Sequence, residues 1–252
     1  MARNAAALRA QIESALAKRI PAPFAPSSTL PVETVPAGIP AMDRLTGGVP
    51  RGGITEICGP NCSGRTSWLM AVLASRTAAA EACAFIDGRD AFDPYSAQAT
   101  GVQLEQLLWV RCQNIDQALR ATDLILHGGG FGLVVLDLGD IPPEVVRYVP
   151  LNVWFRLRRA VEHTPTIFLV LEREPHAKIC ASLVLRVETE AARWLKTADA
   201  QAAVRPPYAC LFAGAWLRTE MVRNQAQPIG PRYFHHGSPA GMLEAEYRLE
   251  VG

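Results

Sequence analysis

Two spacings of apolar residues alternate along most of this chain. Short continuous runs, Ile54–Cys58, 82–87, 107–110, Leu133–Asp137 and 166–171, have the length and composition of buried strands. Between them, apolar positions recur every three or four residues, as on one face of a helix. Trp68, Leu69, Val72 and Leu73 mark such a helix from about residue 66 to 80, and two more are predicted over 114–126 and 153–163. Asn114 has the side chain of an N-cap, and Gly128, Gly129 and Gly130 stop the helix that follows it. Strand and helix in alternation predict an α/β fold with a mainly parallel sheet covered on both faces. Past Ser182 the pattern changes to short strand-like runs, 183–187, 210–213, 220–222 and 247–251, split by Pro and Gly.

Ahead of this core the pattern is different. Residues 4–20 read as an amphipathic helix, with Leu8, Ile12 and Leu16 at i+4 and Arg9, Glu13 and Lys18 elsewhere. Residues 21–36 form a Pro-rich tether, in which Pro21, Pro23, Pro26 and Pro31 oppose regular structure. A lone helix on a tether has no core of its own, so Leu8, Ile12 and Leu16 are candidate partner-binding residues. The organisation expected is a docking helix (1–20), a tether (21–36) and a core (37–252) with a strand-rich end.

The first strand of the core runs straight into Gly59-Pro60-Asn61-Cys62-Ser63-Gly64-Arg65-Thr66-Ser67 and then a helix. Strand, glycine loop and helix in that order form the context of a P-loop, whose backbone N–H groups and helix N-terminus hold phosphate. Thr66 stands where a hydroxyl would ligate Mg²⁺, and Asp137, ending its apolar run, stands where a second carboxylate would join it. The departure is Arg65, at the position of the motif's lysine. A planar fork replaces a compact ammonium, and the two are not interchangeable at a tight phosphate site.

Charge and composition narrow the picture further. The formal net charge is +1, so no global field favours nucleic acid, and any basic surface is local. Arg147, Arg156, Arg158 and Arg159 cluster around Trp154 and Phe155; a solvated helix face over a core contact is the first reading, a DNA or partner patch the second. Asp87 and Asp90 read as parts of a turn salt-bridged to Arg89, and the His235-His236 pair as loop. Six cysteines are scattered without CxxC spacing, which predicts reduced, mostly buried thiols rather than a zinc site. No signal-peptide core opens the chain, and no apolar run approaches the ~20 residues that span a bilayer. A cytoplasmic, nucleoid-associated protein with no membrane contact is expected.

These motifs together resemble the bacterial recombinase family RecA. Residues 48–60 resemble that family's approach to its P-loop; 83–87 followed by Ala91-Phe92-Asp93-Pro94 resemble its second strand and the segment after it. Val222-Arg223-Asn224 resembles the late strand that carries cations toward a neighbour's nucleotide. The helix and tether also match the family's plan, in which that helix packs on the adjacent subunit of a filament. The resemblance implies a RecA-type P-loop core, ATP and Mg²⁺ as ligands, and single-stranded DNA as partner.

The departures from that family point elsewhere. Its catalytic glutamate falls at Arg89, its Asn-Gln sensor of the γ-phosphate at Glu172-Arg173, and its late lysines at Arg223 and Gln225. The DNA-holding loops shrink to 140–151 and 174–181, and the family's separate C-terminal domain is not expected. The ATP/Mg²⁺ site is therefore expected to be weak or lost, and single-stranded DNA binding weak or absent. Such degeneracy is similar to the ImuA (SulA-like) paralogues of RecA. That resemblance implies an accessory role in damage-induced mutagenesis, with RecA recombinase, an ImuB-like polymerase homologue and an error-prone polymerase as partners. The competing expectations are an active DNA-dependent ATPase that pairs strands and, from another class, a division inhibitor or stress regulator.

Overall fold

The computed structural model describes residues 33–195, 211–225 and 247–248. At its centre is β3 (Ile54–Cys58), buried along its whole length. It pairs in parallel with β7 (Ile167–Glu172) on one side and with β8 (Ala181–Leu195) on the other. Beyond β7 follow β6 (Leu133–Asp137), β4 (Cys83–Asp87) and β5 (Leu107–Arg111), all parallel. Beyond β8 lie β9 (Leu211–Asn224) and β10 (Tyr247–Arg248), both antiparallel to their neighbours. The described sheet has the order β10-β9-β8-β3-β7-β6-β4-β5.

Helices cover both faces, as the alternation of strand and helix requires. One face is packed by α1 (Pro40–Thr46) and α2 (Arg65–Ala78), with Met42, Leu45, Trp68, Leu69, Val72 and Leu73 against Ile57, Phe85, Val135 and Leu169. The short α3 (Pro94–Ala99) adds Ala97 to the same layer. The other face is packed by α4 (Ile115–Gly128) and α6 (Leu151–Val161), with Ala118, Leu119, Trp154, Leu157 and Val161 against Ile86, Val134, Leu136 and Phe168. Successive residues of β6 and β7 enter opposite layers, the period of two that a strand imposes. β3, β4, β6 and β7 read as continuous apolar runs because both of their faces are buried.

Each expected strand of the α/β part is present, and Asn114 caps α4 as anticipated, its side chain accepting from Gln117 N at 3.0 Å. Three short helices were not legible. α1 and α3 begin at Pro40 and Pro94, whose fixed φ suits a first turn, but neither helix is long enough to show a period. α5 (Pro143–Val146) is a single turn. The end of the Pro-rich segment also departs from expectation. Thr34–Val35 forms β1 and pairs with β2 (Val49–Pro50), burying Val35 in the core.

The strand-rich end needs the largest correction. Where short broken runs were expected, β8 and β9 are arms of 15 and 14 residues. Leu183, Leu185 and Val187 enter the core, yet β8 continues through exposed Glu188, Thr189 and Glu190. Antiparallel pairing with β9 satisfies that backbone, so its extent is set by the partner strand and not by burial. Register shifts between Thr189 and Ala191 and between Arg193 and Trp194 break the alternation that would have revealed it.

Phe168 is fully buried on the central strand β7. Phe168→Ala is expected to cost about 3–5 kcal/mol in urea unfolding. Leu124→Ala, on the exposed side of α4, should stay within about 0.5 kcal/mol.

Candidate functional site

β3 ends at Cys58 and the chain turns through the glycine loop into α2. Gly59 is required by packing: a Cβ there would collide with Val187 O and the Ser63 side chain. Gly64 sits at φ 91°, in the left-handed region, and a Cβ on it would lie 2.5 Å from Leu217 of β9. Cys62 takes φ 60° without being glycine. Its carbonyl accepts from Thr189 Oγ1 at 2.7 Å, so β8 holds the loop in that conformation. Pro60, Asn61, Cys62 and Thr66 are exposed, Ser67 is half-buried, and the Ser63 hydroxyl is buried without a partner. Exposed loop residues over a helix N-terminus form a cradle of the kind that binds phosphate.

Arg65 is the first residue of α2 and is only 9% exposed. Its guanidinium turns to the end of β6. A Cβ built on Gly139 would lie 2.8 Å from Arg65 Nη1 and 3.1 Å from Asp137 Oδ1, so both groups crowd one backbone carbon. Gly139 N donates to Asp137 Oδ1 at 2.8 Å, and Arg173 Nε donates to Gly139 O at 3.0 Å. Burial raises Asp137 to about 6, and Asp140 adds to the rise while Arg65 opposes it. Burial also lowers the pKa of Arg65, with Asp137 and Asp140 resisting. Nη1 of Arg65 is buried and makes no hydrogen bond. The structure thus brings the expected nucleotide and metal residues Gly59 to Ser67 and Asp137 to one corner. Phosphate fits the cradle. A divalent cation does not fit beside Asp137, because the Arg65 and Arg173 guanidinium groups both reach Gly139, two residues on.

A second cluster on the other face of the same strands escaped the sequence. Glu56 of β3 is fully buried, and its Oε1 accepts from His176 N at 2.8 Å and Ala177 N at 2.6 Å. Glu172, also fully buried, faces His176 Nδ1 at 2.5 Å. Glu56 Oε2 and Glu172 Oε1 have no partner. Burial pushes Glu172 up to about 7 and raises Glu56, while the Glu172 contact raises His176. Arg223 of β9 donates to Lys178 O beside them. Two glutamates interrupting apolar strands were the available signal. The segment 174–181, expected as a shortened loop, is fastened to the P-loop strand through Glu56.

Other expected residues fall elsewhere. Asp87 holds the turn after β4, accepting from Arg89 N, Ala91 N, Phe92 N and Trp109 Nε1. Asp90 pairs with Arg111 of β5 at 2.5 Å, so the ion pair expected with Arg89 is made to another strand, and the Arg89 side chain is exposed. In the basic cluster, Trp154 is core, Arg156 Nε reaches Asp123 of α4 at 2.9 Å, and Arg147 lies over Tyr148. Arg159 is exposed. Cys58, Cys83, Cys112 and Cys180 are buried and Cys62 is exposed. Leu8, Ile12 and Leu16 and the His235-His236 pair lie outside the described residues. No described helix is long and apolar enough to cross a membrane.

Glycine loop, helix and carboxylate-ended parallel strands define a P-loop α/β core. The family model described as the RecA N-terminal domain matches residues 4–143. The chain belongs to the RecA family. It is 39% identical to Protein RecA of Deinococcus radiodurans over 129 residues, covering 50% of this chain and 36% of that protein. It is 35% identical to Protein RecA of Streptomyces ambofaciens over 130 residues, 51% and 35% of the two chains. The match thus spans about a third of these relatives. Among solved structures, a KaiC-like protein from Pyrococcus horikoshii superposes with a TM-score of 0.55 at 15% identity. The overlap covers 88% of this chain and 96% of that one, which shows a shared fold.

Glu172 sets a pH dependence. A carboxyl whose folded pKa lies above its unfolded value stabilises most below the unfolded value, and that stability is lost as pH rises through the folded one. With Glu172 raised from 4.5 to about 7, and His176 raised as well, both act in the same direction. The urea midpoint should fall between about pH 5 and pH 8, and Glu172→Gln should remove roughly 1–3 kcal/mol of that fall.

Proposed function

We propose that this chain is a RecA-like accessory protein of the DNA-damage (SOS) response and translesion mutagenesis. It works by binding RecA recombinase and polymerase-side partners, an ImuB-like polymerase homologue and an error-prone polymerase, without recombining DNA itself. The observation that carries this reading is the pair of arginines at the two positions where hydrolysis needs lysine and glutamate. Arg65 is buried against Asp137, and Arg89 is an exposed cation on the turn where a water-orienting carboxylate would stand. An arginine added to an intact site speeds phosphoryl transfer, but one that replaces the group orienting the water supplies no base. The phosphate cradle itself is kept, which supports weak ATP binding through Gly59 to Ser67.

Partner docking is assigned to Leu8, Ile12 and Leu16 of the N-terminal stretch, and the setting to the nucleoid-associated cytoplasm. DNA contact is a minor feature of this reading. Arg156 is already paired with Asp123, and the net charge is small. Residual binding through Arg147 and Arg159 should fall steeply with salt as counterions compete.

Purified protein should release no phosphate from ATP above the level of a Gly64→Asp control, with or without single-stranded DNA. Recombinase and polymerase homologue should co-purify with it from damaged cells, and deleting residues 1–20 should abolish recombinase capture while the core stays folded. DNA-stimulated turnover at a recombinase-like rate would instead establish the competing reading, an active DNA-dependent ATPase.

A further inference from the structure

We infer that Arg65 takes the place of the divalent cation, so that the P-loop binds a nucleoside triphosphate in its metal-free form. The inference rests on the nucleotide binding proposed above and adds the ionic form of the ligand. In a P-loop of the usual kind, one cation bridges a strand-end carboxylate and the phosphate oxygens. Here the cation beside the strand-end carboxylate is part of the chain. Arg65 Nη1 and Asp137 Oδ1 flank the same carbon of Gly139, and Arg173 Nε holds Gly139 O. A Cβ at 139 would lie 2.8 Å from Nη1, so glycine there leaves the fork room in its present position.

The donor inventory completes the bridge on one side only. Asp137 Oδ1 already accepts from Gly139 N, and the nearby Asp140 adds a second negative charge. Arg65 Nη1 is buried and has no acceptor. A buried guanidinium N–H without an acceptor is costly, and the acceptor it lacks is an anion. Its own residue begins α2, directly behind the phosphate cradle at Gly64, so a phosphate held there brings oxygens to the guanidinium. Guanidinium matches phosphate as a planar fork and never loses its charge. Arg65 and Arg173 together carry the charge of one divalent ion. A magnesium ion arriving at Asp137 would meet both at close range, and it demands octahedral oxygen ligands that the guanidinium groups do not offer.

The test is a fluorescence titration of the full chain with mant-ATP, in excess magnesium chloride and in EDTA, at matched ionic strength. The wild-type Kd should differ by less than about threefold between the two conditions, while Arg65→Lys, with a shorter and compact head, should bind about tenfold more tightly with magnesium than without. The wild-type arms decide the matter even where Arg65→Lys folds poorly, and circular dichroism reports on that. Wild-type binding that needs magnesium would overturn this inference and leave the nucleotide site standing. No binding in either condition, from folded protein, would overturn the nucleotide site and this inference with it.

Discussion

A parallel sheet collects its strand ends on one edge, and here that edge is lined with charge. Register places Arg111, Asp87 and Asp137 side by side at the ends of β5, β4 and β6, and sets Glu172 and Arg186 on either side of Cys58 at the end of β3. Arg111 and Arg186 keep contact with solvent, but Asp87 and Glu172 are buried, and a buried carboxylate needs a partner supplied by a neighbouring turn or strand. Asp87 gathers three backbone N–H groups from the turn that follows it, and Glu56 gathers two from the segment after β7. Loop conformations along this edge are therefore dictated by buried carboxylates. The P-loop is the exception, because its conformation is set by steric fit of Gly59 and Gly64 against β8 and β9.

That distinction explains how a RecA-type fold persists while the residues of its chemistry change. Gly59 and Gly64 are fixed by contacts with Val187 and Leu217, which do not depend on whether ATP is cleaved. Arg65 and Arg89 face no comparable packing requirement for lysine and glutamate. Arg65 finds compensation at Asp137 and Asp140, and Arg89 projects outward while its backbone still donates to Asp87. Fold and catalysis draw on different atoms of the same turns, so one can be lost without the other.

How much of this the sequence disclosed follows the same division. Strands β3, β4, β6 and β7 were legible because burial on both faces makes a short continuous apolar run, and the half-exposed end strand β5 because its run 107–110 is apolar all the same. Asn114 and the P-loop glycines were legible because backbone geometry restricts the choice of residue. The arms β8 and β9 were not, since their outer halves are held by hydrogen bonds to each other, and backbone pairing leaves no mark on side-chain identity. The ion pair of Asp90 was assigned to the nearest cation in sequence, whereas the sheet brings Arg111 from the neighbouring strand. That Glu56 and Glu172 form one cluster was hidden for the same reason. Each looks like an isolated acid until the register of β3 with β7 puts them on one face.

That pair fixes the segment that follows β7. The segment 174–181 is tied to β3 through the two backbone N–H groups held by Glu56, to β7 through His176 on Glu172, and to β9 through Arg223 on Lys178 O. β3 also carries the P-loop, so the phosphate cradle and this segment share one strand. Releasing the segment would strand the Glu56 carboxylate in a dry site with no donors, which is among the more costly events available to a folded core. A segment free to rearrange needs low local stability, and this one is fastened at three points, to β3, β7 and β9. Its geometry is that of a fixed surface and not of a loop free to move.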